Sequence, residues 1–157
     1  MPLTAYKTDG FKAFMLDIGL LGAKANLNAK TLLEGSAVFQ EFKGALTEQY
    51  VQQELRAECN ITPGYWSRET GNAEIDFLYQ SSDAIIPIEV KAEENLKAKS
   101  LQVYCEHFHP PLSVRTSMAD YRTSKKDFAD YSHTMINLPL YAVNQIRKEC
   151  GDSQEDI

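Results

Sequence analysis

The sequence predicts a mixed α/β domain in which a sheet of short strands is flanked by helices. Three observations support this class: an amphipathic helical segment, three consecutive strand-like segments after it, and a further helix followed by a strand. Apolar residues make up 43% and charged residues 24% of the 157 residues, which is typical of a globular domain with its own core. We divide the chain into an amino-terminal helical extension (1–45), an α/β core (46–150) and a polar tail (151–157).

The first half of the core begins with a helix predicted over residues 46–58. Val51 and Leu55 form its apolar stripe, and Thr47 is a plausible amino-terminal cap. Turn-forming residues then separate three segments whose composition or alternation is typical of strands, namely residues 65–68, 73–80 and 85–92.

The second half of the core contains another helix and two further strands. The helix is predicted over residues 96–109, where Pro110 ends it, and its inner side is expected to carry Leu96, Ser100, Val103, Tyr104 and Phe108. The remaining segments are predicted as a strand (112–116), a basic polar loop through Arg122, Lys125 and Lys126, a strand (135–138) and a closing helix (140–149).

Alternation within the strands decides which side chains share a face. In the second strand it places Ala73, Ile75, Phe77 and Tyr79 on one face, and Glu74, Asp76 and Leu78 on the other. In the third strand, Ile86, Ile88, Val90 and Ala92 form an apolar face, and Glu89 and Lys91 lie together on the opposite one.

Carboxylates on these elements suggest a metal site. Glu48 lies on the apolar stripe of the first core helix, where a carboxylate needs a partner because burying it alone is costly. If that helix packs on the sheet face carrying Asp76 and Glu89, three carboxylates and Lys91 meet. Such a group fits Mg²⁺, which lowers the pKa of a bound water and polarises a phosphate. With Lys91 orienting the water or offsetting charge on the phosphate, this is the chemistry of phosphodiester hydrolysis.

A simpler interpretation explains the same charges without a metal. Strands often carry alternating charged residues on a face exposed to solvent, and Glu89 and Lys91 are compatible with that arrangement. Pro87 supports it, because proline within a sheet is typical of edge strands and bulges, where charges face water.

An ordered set of sequence blocks resembles a known family. The chain resembles domain of unknown function 4143, a carboxy-terminal domain of prokaryotic AAA-type ATPases. The resemblance covers about residues 11–146 and rests on residues 17–21 (DIGLL), 44–55 (GALTEQYVQQEL), 65–66 (YW), 74–78 (EIDFL), 86–91 (IPIEVK), 99–101 (KSL) and 138–141 (LPLY).

This resemblance extends to the PD-(D/E)xK nuclease superfamily and its restriction-endonuclease-like fold. It implies that Glu48, Asp76 and Glu89 bind Mg²⁺ and that Lys91 is the catalytic lysine, with DNA as substrate. An AAA-type ATPase domain, in cis or in trans, is the implied partner. The alternative function is a catalytically inactive module that binds DNA or a protein, in which Lys91 simply pairs with Asp76 or Glu89.

The overall charge argues against binding nucleic acid by bulk electrostatics. The formal net charge is −6, whereas nucleic-acid-binding domains are commonly basic. The basic residues after the third strand fit either a local basic rim beside the acidic residues or, equally simply, a solvated helix face and polar loop. The candidates for phosphate contacts on such a rim are Lys97, Lys99, Arg115, Arg122, Lys125 and Lys126.

Several function classes are not expected. The sequence contains no GxxxxGK[ST] loop, so we expect no nucleotide to be bound by this chain alone in the P-loop manner. It contains no apolar run of ~20 residues, so no membrane partner is expected. Its first residues do not resemble a signal peptide and its three cysteines are far apart, which favours a cytoplasmic location with reduced thiols.

Overall fold

A computed structural model describes Leu3 and residues 12–27, 37–92, 99–127 and 131–152. Within these ranges the helices are α1 (Ile18–Lys24), α2 (Ala37–Ala57), α3 (Lys99–Phe108) and α4 (Ile146–Glu149), with a 3₁₀ helix at Leu140–Gln145 directly before α4. The strands are β1 (Gly64–Ser67), β2 (Glu74–Gln80), β3 (Ile85–Val90), β4 (Leu112–Ser117), β5 (Arg122–Asp127) and β6 (Ser132–Pro139). No helix in the described part of the chain is long and apolar enough to cross a bilayer.

The six described strands form one mixed sheet in the order β1-β2-β3-β4-β6-β5. The pairs β1–β2, β2–β3 and β5–β6 are antiparallel, whereas β3–β4 and β4–β6 are parallel. The parallel step from β3 to β4 is made through α3, as such crossovers usually are. The predicted class, a mixed sheet flanked by helices, is therefore confirmed.

Two apolar clusters cover the two faces of the sheet. On one face α2, the 3₁₀ helix and α4 pack against the central strands, with Val51, Leu55, Phe77, Ile88 and Ile146 among the buried residues. On the other face α3 packs with Leu101, Tyr104 and Cys105 against Ile75 and Leu78. Glu89 follows Ile88 in β3, so its side chain projects from the opposite face of the sheet, the one covered by α3.

A bulge in β2 interrupts the alternation expected for that strand. Gly64 pairs with Leu78 but Trp66 pairs with Ile75, so three residues of β2 span the interval that two residues of β1 span. As a result Ile75 packs with Leu78 on the α3 side rather than with Phe77. The prediction that Ile75, Phe77 and Tyr79 share a face is wrong for Ile75.

Helix α2 is longer than predicted. It begins at Ala37 rather than Leu46, and the hydroxyl of Thr47 donates a hydrogen bond to the carbonyl of Lys43 at 2.8 Å. This bond to the preceding turn is what a threonine makes inside a helix, so the capping role predicted for Thr47 is wrong. The helix is continuous across residues 45 and 46, where the core was predicted to begin; the domain limits themselves stay predictions.

Two further elements differ from the expectation. Residues 122–127 form β5 rather than a loop. This strand lies at the edge of the sheet, where exposed charged side chains are common. The buried side of α3 consists of Leu101, Tyr104 and Cys105, so the predicted inner residues Ser100 and Val103 are wrong. Leu96 lies outside the described residues.

The segment before α1 is fixed against α2. The side chain of Gln49, 2% exposed, accepts a hydrogen bond from the Met15 amide at 2.8 Å and donates one to the Met15 carbonyl at 2.9 Å. Asp17 caps α1 by accepting from the Leu20 amide at 3.1 Å. These contacts determine where Lys12, three residues before Met15, reaches the sheet.

Candidate functional site

All four residues predicted to carry the chemistry line one cavity of about 280 Å³. The cavity lies where α2, β2, the end of β3 and the first turn of α3 approach each other. Its wall includes Glu48, Glu74, Asp76, Glu89, Lys91 and Ser100. The structure thus brings together residues that are up to 43 positions apart in the sequence (Glu48 to Lys91).

Asp76 is held at the point where the pairing of β2 with β3 ends. The last paired residues on this side are Phe77 and Ile88, and the amide of Val90 donates to Asp76 Oδ2 at 2.8 Å. The carboxylate therefore accepts from a backbone amide that, in a regular pair of strands, would donate to a carbonyl of the neighbouring strand. This bond fixes Asp76 between the two faces of the sheet.

The position of Asp76 explains how the carboxylates meet although the packing is not the one anticipated. Helix α2 covers the face carrying Phe77 and Ile88, which is opposite to the face carrying Glu89. Because the strands are no longer paired beyond Ile88, the cavity is lined from both sides: by Glu48 from α2 and by Glu89 from the α3 side.

Lys12 is the residue that sequence reasoning missed. Its ammonium forms an ion pair with Glu48 and lies 3.4 Å from Asp76 Oδ1, so it bridges the two carboxylates. Lys12 precedes Glu48 by 36 positions and Asp76 by 64. Its place depends on the docking of the amino-terminal segment through Gln49, which no local pattern in the sequence indicates.

Glu89 is deeply buried and incompletely satisfied. Its side chain is 5% exposed, and Oε1 lies 2.5 Å from the ammonium of Lys91. The other oxygen, Oε2, has no hydrogen-bond partner among the described residues. A buried carboxylate oxygen without a partner is costly in free energy, and such atoms are usually paired with an ordered water molecule or a bound ion.

These positions rule out the simpler interpretation of the charged strand. Glu89 does not face solvent, and β3 lies inside the sheet between β2 and β4 rather than at an edge. Pro87 is accordingly an interior residue, paired with Leu78. Glu89 and Lys91 are therefore not the exposed pair of a solvated strand face.

Burial and neighbouring charges shift the pKa values of Glu48 and Lys12. Burial raises the pKa of Glu48, with the charges of Asp76 and Glu74 adding to the effect and the hydrogen bond from Lys12 opposing it. Burial lowers the pKa of Lys12, but its contact with Glu48 and the charge of Asp76 outweigh this, so the net pKa is raised. The pKa of Glu48 is thus raised mainly by its burial, and the pKa of Lys12 by the carboxylates that it faces.

The cavity offers donors of the type that Mg²⁺ prefers, although lysines occupy part of them. Mg²⁺ prefers carboxylate oxygens, and Glu89 Oε2 is such an oxygen without a partner in the described chain. Within the described ranges, no three Asp, Glu, His or Cys side chains are arranged to hold a metal ion as they stand. The ammonium of Lys12 lies between Glu48 and Asp76, so a cation binding there must displace it.

The described residues among those predicted to contact phosphates lie on three elements, α3, β4 and β5, and not all of them are exposed. Arg115 is 7% exposed, pairs in register with Glu89 and donates to Asn137 Oδ1 at 3.3 Å, so it is not part of an exposed rim. Lys99 is exposed at the start of α3, next to Ser100 of the cavity wall. On β5, the side chains of Arg122 and Lys126 project from one face of the strand and that of Lys125 from the other. Lys97 lies outside the described residues.

The burial of Glu89 predicts a pH-dependent stability. Burial raises the pKa of Glu89 above its usual 4.5, with the charge of Asp76 adding and Lys91 opposing. A carboxyl with a raised folded-state pKa reduces the unfolding free energy as pH rises through that range, because the folded state retains its proton more strongly. In EDTA at neutral pH we expect Glu89→Gln to melt about 3 °C above wild type, the effect of ~1 kcal/mol in such a domain.

Differential scanning calorimetry across the pH range checks this expectation. The difference should disappear below about pH 3.5, where the carboxyl is largely protonated in both states. Glu69→Gln, at an exposed turn, is the control and should show a small difference without pH dependence. A Glu89→Gln protein that melts below wild type at neutral pH would contradict the interpretation.

Comparison with known proteins places the chain in a family. No curated protein matches it. The family described as Domain of unknown function (DUF4143) matches residues 43–141, which is more than half of the chain and contains Glu48, Asp76, Glu89 and Lys91. The chain therefore belongs to the DUF4143 family.

Proposed function

We propose that this chain is a nuclease-like domain that hydrolyses phosphodiester bonds of DNA with the help of Mg²⁺. The observation that carries the proposal is the cavity in which Glu48, Asp76 and Glu89 converge and Glu89 Oε2 is left without a partner in the described chain. The similarity of this set to the PD-(D/E)xK pattern supports the same chemistry. An acidic domain approaching DNA is also helped by cations that neutralise its carboxylates.

Asp76 and Glu89 are the proposed ligands, with Glu48 as a third. When bound, Mg²⁺ would neutralise charge on the phosphate and lower the pKa of a water molecule. Asp76 is suited to this role because the Val90 amide holds its carboxylate through Oδ2. The other oxygen, Oδ1, faces the ammonium of Lys12, in the position where a cation would lie. Glu89 is suited because its carboxylate is buried and Oε2 has no hydrogen-bond donor among the described residues, so a cation bound to this oxygen would offset the cost of burying it.

Lys91 is the proposed catalytic lysine. Its side chain is 31% exposed and its ammonium contacts Glu89, so it lies at the boundary between the buried carboxylate and solvent. From there it can donate a hydrogen bond to an attacking water or to a phosphate oxygen. Glu89 orients the ammonium toward the cavity that both residues line.

A second candidate function is an inactive module that binds DNA or a protein, including an AAA-type ATPase domain in cis or in trans. The observation in its favour is that each of the three carboxylates already has a lysine partner: Lys91 pairs with Glu89, and Lys12 with Glu48 and Asp76. In this case the cluster is a structural ion-pair network, and neither metal binding nor cleavage follows.

A plasmid-nicking assay separates the two functions. With Mg²⁺ the wild-type protein should nick supercoiled DNA and with EDTA it should not. Lys91→Met should slow nicking by about 100-fold while Mg²⁺ affinity, measured by calorimetry, changes only a few-fold, because the lysine assists the reaction rather than holding the metal. Lys148→Met, an exposed residue of α4, is the matched control. A wild-type protein that binds Mg²⁺ but does not nick, or a Lys91→Met variant as active as wild type, would contradict the proposed role.

A further inference from the structure

A second cavity, of about 410 Å³, adjoins the carboxylate cavity, and Asp76 lines both. Its wall is built by the carboxyl-terminal half of α2, the start of β1 and the amino-terminal segment, through Lys12, Gln52, Arg56, Thr62 and Tyr65. Tyr65 lies in one of the sequence blocks of the family resemblance (65–66), whereas Arg56 and Thr62 lie outside them.

Hydrogen-bond donors dominate this wall. Arg56 donates to Thr62 Oγ1 at 2.5 Å, and no carboxylate of the described residues forms an ion pair with it. Tyr65 contributes a buried hydroxyl that has no hydrogen-bond partner in the described chain. A guanidinium and a hydroxyl that lack, respectively, a counter-ion and a hydrogen-bond partner among the described residues are suited to an anion with several acceptor oxygens.

The charged side chains of this wall are Asp76, which is acidic, and Lys12 and Arg56, which are basic. Asp76 accepts from the Val90 amide through Oδ2, and its Oδ1 faces Lys12. Among the described lining residues basic side chains therefore outnumber acidic ones, although Lys12 is shared with Glu48 of the neighbouring cavity. The two adjoining cavities differ in character: one is rich in carboxylates, and the other is rich in donors.

We propose that this second cavity binds a phosphate group of the nucleic-acid backbone, next to the phosphate that enters the carboxylate cavity. Arg56 is the main contact, and Tyr65 donates a second hydrogen bond. The inference rests on the proposed function, since it assigns the place of the neighbouring phosphate of the same strand. Such a contact fixes the strand's position without reading its sequence.

Fluorescence anisotropy with a fluorescein-labelled single-stranded DNA oligonucleotide tests the assignment. The titration uses the full chain in EDTA, so binding is measured without metal and without cleavage. Arg56→Gln should weaken binding about 10-fold at low salt and reduce the slope of log K against log salt by about 0.7, the value for one lost phosphate contact on a single strand. Tyr65→Phe should weaken binding several-fold without changing the slope, because it removes a donor but no charge.

Two variants control for charge and folding. Lys148→Gln makes the same change in net charge at an exposed position of α4 and should alter affinity less than two-fold. Arg56→Lys keeps the charge and should retain most of the binding. Unfolding midpoints measured alongside show whether each variant is folded.

The outcomes distinguish the ligand and the two proposals. Equal affinities for Arg56→Gln and Lys148→Gln, or no oligonucleotide binding by wild type, would overturn the inference. Calorimetry with inorganic phosphate is the second arm: binding of free phosphate without binding of the oligonucleotide would overturn the assignment to a nucleic-acid strand. Because these titrations contain EDTA, failure to bind Mg²⁺ in a separate experiment would overturn the proposed hydrolysis and leave this result standing.

Discussion

Asp76→Asn is expected to abolish detectable Mg²⁺ binding and to reduce DNA nicking by about 1,000-fold. The substitution removes the charge that a hard cation requires. It keeps an oxygen that can accept from the Val90 amide, so the contact between β2 and β3 is preserved. Calorimetric titration with Mg²⁺ and the plasmid-nicking assay, made on the same preparation, check both effects.

The control for this variant is Asp120→Asn, which removes the same charge from an exposed loop after β4. It should bind Mg²⁺ and nick DNA as wild type does. An Asp76→Asn protein that is folded and retains wild-type Mg²⁺ affinity would show that Asp76 is not a ligand, and the ion-pair network would then be the better description of the cluster.

Lys12→Met is expected to tighten Mg²⁺ binding by about 10-fold. The ammonium of Lys12 contacts Glu48 and Asp76, so it competes with any cation for the same carboxylates. Removing it frees these oxygens and leaves the carboxylates to repel one another. In EDTA the unfolding free energy should therefore fall by ~1 kcal/mol, and added Mg²⁺ should restore it.

Urea unfolding with and without Mg²⁺, together with calorimetry, measures the two opposite effects. Lys24→Met, at an exposed position at the end of α1, is the control and should change neither quantity. If Lys12→Met weakens Mg²⁺ binding, the lysine is not a competitor of the metal, and its contacts serve instead to hold the carboxylates in place.

Much of the sheet and the core of the site follow from local patterns. Strand β3 was predictable because Ile86, Ile88 and Val90 recur at every second position, and on this apolar face Ile86 and Ile88 are buried and Val90 is partly buried. Glu48, Asp76, Glu89 and Lys91 were predicted together because each lies on an element whose order in the chain matches a known pattern. Their common cavity confirms that the four lie together, while their chemistry stays a proposal.

The features that were missed depend on tertiary contacts. The bulge in β2 arises from its pairing with β1, so alternation along β2 alone assigned Ile75 to the wrong face. Strand β5 has no apolar alternation, because as the last strand of the sheet it is formed by backbone pairing with β6. Lys12 reaches the carboxylates only because Gln49 fixes the segment near Met15, a contact between residues 34 positions apart.

The most direct test of the central claim is a calorimetric titration of Mg²⁺ into the wild-type protein at neutral pH. We expect a saturable heat that corresponds to one site, with a dissociation constant in the millimolar range or below, because Glu48, Asp76 and Glu89 line one cavity and Glu89 Oε2 has no hydrogen-bond partner among the described residues. Heats of dilution alone up to about 10 mM Mg²⁺ would contradict the claim. The lysine-neutralised cluster would then be a structural network, and the domain's function would be to bind partners.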